Sequence, residues 1–289
     1  MSETLTLLPH EYPDTSQMIL EDDEPLDSFV NEKQQRLLTT VFYSGADTGI
    51  KVPFLAAANV GLFSHVRHQG IVPDAFLSLN IRAGEEWFDR NVRSYLFWEF
   101  GKAPDVVIEI VSPTPGNELG SKLIDYAQLG IPYYVVYDPL KKLGEIPLRV
   151  FQIQGSNYVS KSDAWFPSVN LGLTLFSGSF ENVNATWLRW CYPDGNVIPT
   201  GDELAAAKNA EISQKDAELT EKDARLKQMS LLAIEMGLKL KFSNDSATIF
   251  SEISAINDLD LLSAIASEIP NITSVEELRK MYCMSKKGN

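Results

Sequence analysis

Cysteine is scarce in this chain: Cys191 and Cys283 are the only two in 289 residues. That excludes a disulfide framework, and the pair lacks metal-ligand spacing, so both read as inert thiols of a reducing compartment. Basic charge is in deficit as well, with 25 Lys and Arg against 39 Asp and Glu. Apolar runs fall short of the roughly 18 residues that a membrane-spanning helix needs. The most apolar stretch, 52–63, is interrupted by Pro53, Asn59 and Gly61. The first residues carry no basic n-region, so the expectation is a cytoplasmic protein without membrane association. With no Gly-rich phosphate loop, no Gly-x-Ser-x-Gly elbow and no Cys–His pair, nucleotide-driven and acyl-transfer chemistry have no support.

What is present is globular: 44% hydrophobic and 22% charged residues, enough for a substantial core. The net charge of -14 is unevenly spread. Residues 1–30 hold eight acids and no Lys or Arg, residues 31–200 hold 16 acids against 14 bases, and residues 201–289 hold 15 against 11. Much of the acidity is therefore the run Glu21 to Glu24 with Asp27, which reads as a solvated acidic leader over 1–28. The central region is near neutral. Contact with nucleic-acid phosphates needs only one basic surface, so overall acidity does not forbid it, although no basic patch announces it.

Residues 26–42 have helix formers and apolar positions at Phe29, Leu37, Leu38 and Val41, predicting an amphipathic helix laid on a sheet. Short Val-, Ile-, Tyr- and Phe-rich runs follow, the clearest being 70–79, 104–112, 131–138 and 148–154. Between the second and third of these, residues 113–130 open with turn residues, become helical near Asn117 and close at Gly130 before Pro132. A strand, a helix of about 12 residues and a second strand make a right-handed crossover with parallel strands. The expected fold class is α/β, with a core domain over 29–195.

Beyond Trp190 the composition turns helical. A seven-residue repeat over 214–226 aligns Ile212, Leu219 and Leu226, while Lys208, Lys215 and Lys222 weaken a second apolar line. The long helix over 202–240 is thus either a weak oligomerising seam for a homo-oligomer or a helix docked on its own chain. A small helical module is expected over 246–285.

Two acids interrupt otherwise apolar strands, Asp74 and Glu109, where an ionised carboxylate is costly unless paired or bound to metal. Lys122 lies on the helix after the Glu109 strand and could reach back toward the sheet. Two carboxylates suit a hard divalent cation such as Mg²⁺, and a neighbouring ammonium can orient water. A plain i,i+4 pair of Lys122 with Glu118 is the bland reading, and both can hold at once. Asp105 reads as a strand cap, Glu32 as a solvated helix acid that could alternatively serve the site, and Gln128 is open. His65 and His68 precede Asp74 at a spacing that does not readily converge on zinc.

Val72-Pro73-Asp74, the run Pro104-Asp105 through Glu109 to Pro113, Lys122, Tyr126-Ala127, Gly130 to Tyr134 and Tyr137-Asp138-Pro139 resemble the Uma-two family of restriction-endonuclease-like proteins, within the PD-(D/E)xK nuclease superfamily. The flanks, Ser94-Tyr95, Trp98 to Lys102, Leu171 to Leu173 and Leu188 to Trp190, are similar too, so the resemblance spans about residues 30–240. It implies a restriction-endonuclease-like mixed sheet flanked by helices, with Asp74, Glu109 and the backbone carbonyl of Ile110 as metal ligands. The implied cofactor is Mg²⁺, with Mn²⁺ as a substitute, and the implied substrate is DNA. The superfamily's lysine stands two residues after the acid, where this chain has Val111, so Lys122 would take the role from the following helix.

Two functions from different classes are compatible with these features. One is a metal-dependent endonuclease hydrolysing phosphodiester bonds in DNA, with Asp74, Glu109 and Lys122 as its catalytic set. The other is a non-catalytic assembly or protein-binding factor that works through its C-terminal helices.

Overall fold

The computed structural model describes residues 28–64, 70–82 and 94–285, with Trp98 and 283–285 described by their backbone alone. The chain divides into two compact units at Leu204/Ala205. Among the described residues, no helix is long and apolar enough to cross a membrane.

The first unit opens with α1 (Phe29–Thr40). Its N-cap is Ser28, whose Oγ accepts the Asn31 N–H at 3.1 Å, relieving one of the unpaired amides of a helix start. A six-stranded sheet follows, in spatial order β1 (Phe54–Ala58), β3 (Ala75–Leu79), β5 (Val106–Ile110), β6 (Tyr133–Tyr137), β7 (Leu148–Gln154) and β8 (Asn157–Lys161). Only β5 and β6 run parallel. They are joined by α3 (Ser121–Gln128), which is the expected crossover. A short parallel pair, β2 (Gly61–Phe63) with β4 (Ser94–Leu96), lies outside this sheet, and β4 leads into the single turn α2 (Phe97–Phe100). A second sheet is formed by β9 (Trp165–Phe166), β10 (Leu171–Phe180) and β11 (Val183–Cys191).

Side-chain alternation divides the central strands between two cores. Val106, Ile108 and Ile110 join Leu38 of α1, its C-cap residue Val41, and Leu188 and Trp190 of β11 on one face. Val107 and Val111 join Tyr126 of α3, Tyr134 and Val136 on the other. The centre of the sheet, buried on both faces, explains why β6 is a continuous apolar run and why β5 is one but for Glu109. The core is further tied by Arg189 of β11, a buried guanidinium donating to both carboxylate oxygens of Glu203 at 2.7 Å and to the Ile198 carbonyl.

Two expectations need correction. Asp74 is not within a strand but immediately before β3. The crossover helix is eight residues rather than about 12, because Asn117 takes a left-handed conformation at φ +67 and residues 118–120 form a turn. Glu118 therefore precedes the helix, and the i,i+4 pair with Lys122 is not made.

The second unit packs the end of α4 (Gly201–Lys241) against α5 (Ser246–Ser254), α6 (Leu259–Glu268) and α7 (Val275–Ser285). Ile234, Leu238, Ile249, Ile253, Leu262 and Ile265 form its core. Along α4, Ile212, Leu219 and Leu226 are each more than half exposed.

Candidate functional site

The strand register places the acids. In β3 against β5, Ala75 pairs with Ile108, and in β1 against β3, Ala58 pairs with Ala75. One step further along each ladder sets Asn59, Asp74 and Glu109 in a row across three adjacent strand ends. Glu109 is still inside β5, paired with Val136 of β6, and its side chain projects toward α3 because it shares the parity of Val107 and Val111.

Glu109 is 2% exposed, and α3 supplies its partners. Lys122 Nζ donates to Oε2 at 3.0 Å and Tyr126 Oη to Oε1 at 2.5 Å. Lys122 and Tyr126 are four residues apart, one turn along one helix face, which is why a single short helix can address both oxygens. Asp74 is held from the other side. Its Oδ2 accepts the Ile110 N–H at 2.6 Å, and its Oδ1 accepts Nε2 of Gln35, a buried residue of α1, at 2.8 Å. Gln35 is oriented in turn by Asn59, whose Nδ2 donates to the Gln35 Oε1 at 2.9 Å.

Packing two carboxylates together out of water disfavours their charge. Burial, followed by the nearby Asp74 charge, pushes the Glu109 carboxyl up to about 8. Burial also raises Asp74, against the lowering effect of its Ile110 and Gln35 hydrogen bonds. For Lys122, burial works to lower the pKa, but the attraction of Glu109 and Asp74 outweighs it and holds the ammonium above its ordinary value. The group is thus a cation at neutral pH. Burial with the Glu109 charge keeps Tyr126 a neutral hydroxyl donor.

The donor chemistry fits a hard divalent ion. Two oxygen-bearing side chains meet at one point, each with its orientation fixed, and their mutual repulsion is what a positive ion would relieve. Among the described residues, no group of three His, Cys, Asp or Glu side chains gathers as a metal cage. A bound ion would therefore keep several waters, as Mg²⁺ commonly does.

Of the remaining sequence candidates, Asp105 caps the neighbouring strand, accepting the Leu79 N–H at 2.7 Å and the Lys102 ammonium at 2.5 Å. Glu32 pairs with Arg36 on the exposed side of α1, and Arg36 also binds Glu181. Gln128 is exposed. Val111 is fully buried among apolar side chains, which removes the usual lysine position from the site. The thiol of Cys191 is buried; the Cys283 side chain, His65 and His68 lie outside the described residues.

Gln35, Asn59 and the hydrogen-bonding role of Tyr126 were not expected. The one available signal was Gln34-Gln35 on the core-facing side of α1, two amides where apolar residues would be usual. Gln34 proves structural, its amide bridging the Leu188 carbonyl and N–H at 2.8 and 2.9 Å.

The family model Uma2, described as "Putative restriction endonuclease", matches residues 16–175, more than half of the chain. No curated protein matches the sequence, and no solved structure matches it.

Proposed function

The chain belongs to the Uma2 family, and on that premise we propose that it is a divalent-cation-dependent endonuclease acting on DNA. The observation that carries the reading is the meeting of Asp74 and Glu109 at adjacent strand ends with Lys122 3.0 Å from Glu109. Asp74 and Glu109, with the Ile110 carbonyl, would hold Mg²⁺ or Mn²⁺. Such an ion supplies Lewis-acid stabilisation to charge developing on a phosphate oxygen.

The chain's own residues do the remainder. Tyr126 fixes the rotation of the Glu109 carboxylate, and the Gln35–Asn59 amide pair fixes that of Asp74. Lys122 stays protonated, so its role is to attract the phosphate and orient a water by donating to it, rather than to remove a proton. A partly buried ammonium aimed at developing negative charge is worth more than one in bulk water.

Supercoiled plasmid incubated with Mg²⁺ or Mn²⁺ tests this. Nicking by the wild type, abolished by EDTA and lost in Asp74→Asn and Glu109→Gln, is expected; variants that nick at the wild-type rate overturn the assignment.

A second reading is favoured by one observation, the exposure of Ile212, Leu219, Leu226, Met229 and Met236 along α4. Heptad-spaced apolar residues suit a second copy of this helix, so the chain would act as a self-associating factor. Light scattering across protein concentration, beside DNA binding titrated with salt, separates the two. A nuclease surface loses affinity steeply with salt, whereas an assembly factor shows oligomers and little DNA retention.

A further inference from the structure

We propose that Glu118 is a positioning residue that receives the Lys122 ammonium when a divalent cation occupies the Asp74–Glu109 pair. This rests on the cation-dependent reading above and adds a component to it.

Glu118 sits in the turn that precedes α3 and is 3% exposed. One of its oxygens, Oε1, accepts the Gly116 N–H at 2.8 Å. Its other oxygen, Oε2, is buried with no hydrogen-bond donor among the described residues. A carboxylate oxygen left unmatched inside a protein is costly, and the Gly116 N–H engages only the other oxygen of this one. The turn itself is anchored, since Tyr134 Oη donates to the Glu118 carbonyl at 2.9 Å.

Lys122 borders the same gap. A β-carbon placed on Gly116 would lie 3.0 Å from Glu118 Oε1 and 3.7 Å from Lys122 Nζ, so the absence of a side chain at 116 leaves open the space between carboxylate and ammonium. The lysine in the structure uses Glu109 Oε2 as its partner. With Oε1 engaged by the Tyr126 hydroxyl, Oε2 is the oxygen left for a cation, and an ammonium 3.0 Å from it would be strongly repelled by an arriving divalent ion. The side chain is 28% exposed and flexible enough to swing. Glu118 offers the unmatched buried acceptor, and its charge already adds to those that hold Lys122 protonated.

Mn²⁺ titration calorimetry on the full-length protein tests the inference without reference to cleavage. Replacing Glu118 by Gln leaves the ammonium no charged alternative, and Mn²⁺ affinity is expected to fall about tenfold, the lower end of the range for residues that orient metal ligands. Lys122→Met should bind Mn²⁺ at least as tightly as wild type. In that background Glu118→Gln should change affinity by less than about twofold, because a residue acting only through Lys122 has nothing left to act on. Glu118→Asp, which keeps the charge, should restore wild-type binding and so separates loss of charge from disturbed packing. Unchanged affinity in Glu118→Gln overturns the inference. So does an equal loss in the Lys122→Met background, which would make Glu118 act on the ion itself. If the wild type binds no Mn²⁺, this inference and the cation-dependent reading fall together. If it binds Mn²⁺ but never nicks DNA, the nuclease reading fails and the positioning role stands.

Discussion

Tyr126 holds one oxygen of Glu109 with a 2.5 Å hydrogen bond from within the apolar core beneath α3. The bond favours the ionised carboxylate and partly offsets the burial and the Asp74 charge that raise its pKa. Removing only the hydroxyl, in Tyr126→Phe, should leave the fold intact and raise the Glu109 pKa further. Hydrogen bonds to charged groups contribute about 1.5–3 kcal/mol, so cation affinity measured near neutral pH should fall about tenfold or more in titration calorimetry.

Glu109 makes the cation-free protein sensitive to base. Its carboxyl holds a proton up to about pH 8 in the folded chain, against an ordinary value of 4.5. Folding therefore takes up a proton between those values. The stability this confers is complete below the ordinary value and is lost as pH rises through the folded one. Glu109→Gln, which is neutral throughout, should melt progressively higher than wild type as pH is raised from about 6 to 9 in EDTA. A constant difference in Tm across that range would contradict the placement of Glu109.

The same proton must leave when a divalent ion binds. At pH 7 the wild type should release about one proton per ion, read from the dependence of binding heat on buffer ionisation enthalpy. Affinity should climb from pH 6 toward pH 9 and then level off, and Asp74→Asn, by removing the neighbouring charge that helps raise Glu109, should move that rise to lower pH.

Gln35 should matter more than its residue type suggests. Its amide links α1 to Asp74, and Gln35→Ala removes one hydrogen bond from the Asp74 carboxylate and one from the Asn59 amide. A destabilisation of about 1–3 kcal/mol is expected from chemical denaturation. Nicking should fall more than DNA binding does, because the substitution frees the rotation of Asp74 without altering surface charge.

Glu109, Lys122 and the parallel pair β5–β6 were legible because each leaves a local mark. An acid inside a run of Val and Ile is conspicuous, and a strand–helix–strand segment bounded by Gly130 and Pro132 admits one topology. The long helix was legible from composition alone. Gln35 was not, since its meaning depends on Asp74, 39 residues away, and on an antiparallel register between β1 and β3 that no local pattern encodes. Glu118 was misassigned for a related reason: helical spacing suggested an i,i+4 pair, but the left-handed Asn117 delays the helix past it.

Asn59 and Asp74 stand one residue past the last pairs of β1 with β3 and β3 with β5, and so fall in one row with Glu109, which is still within β5. The placement of the two acids is thus inherited from main-chain pairing one residue away, so it tolerates change in the connecting segments beyond Asn59 and before Asp74 better than change in the strands. A slip of β3 by a single residue would swing Asp74 through the sheet and dismantle the centre while leaving every residue type unchanged.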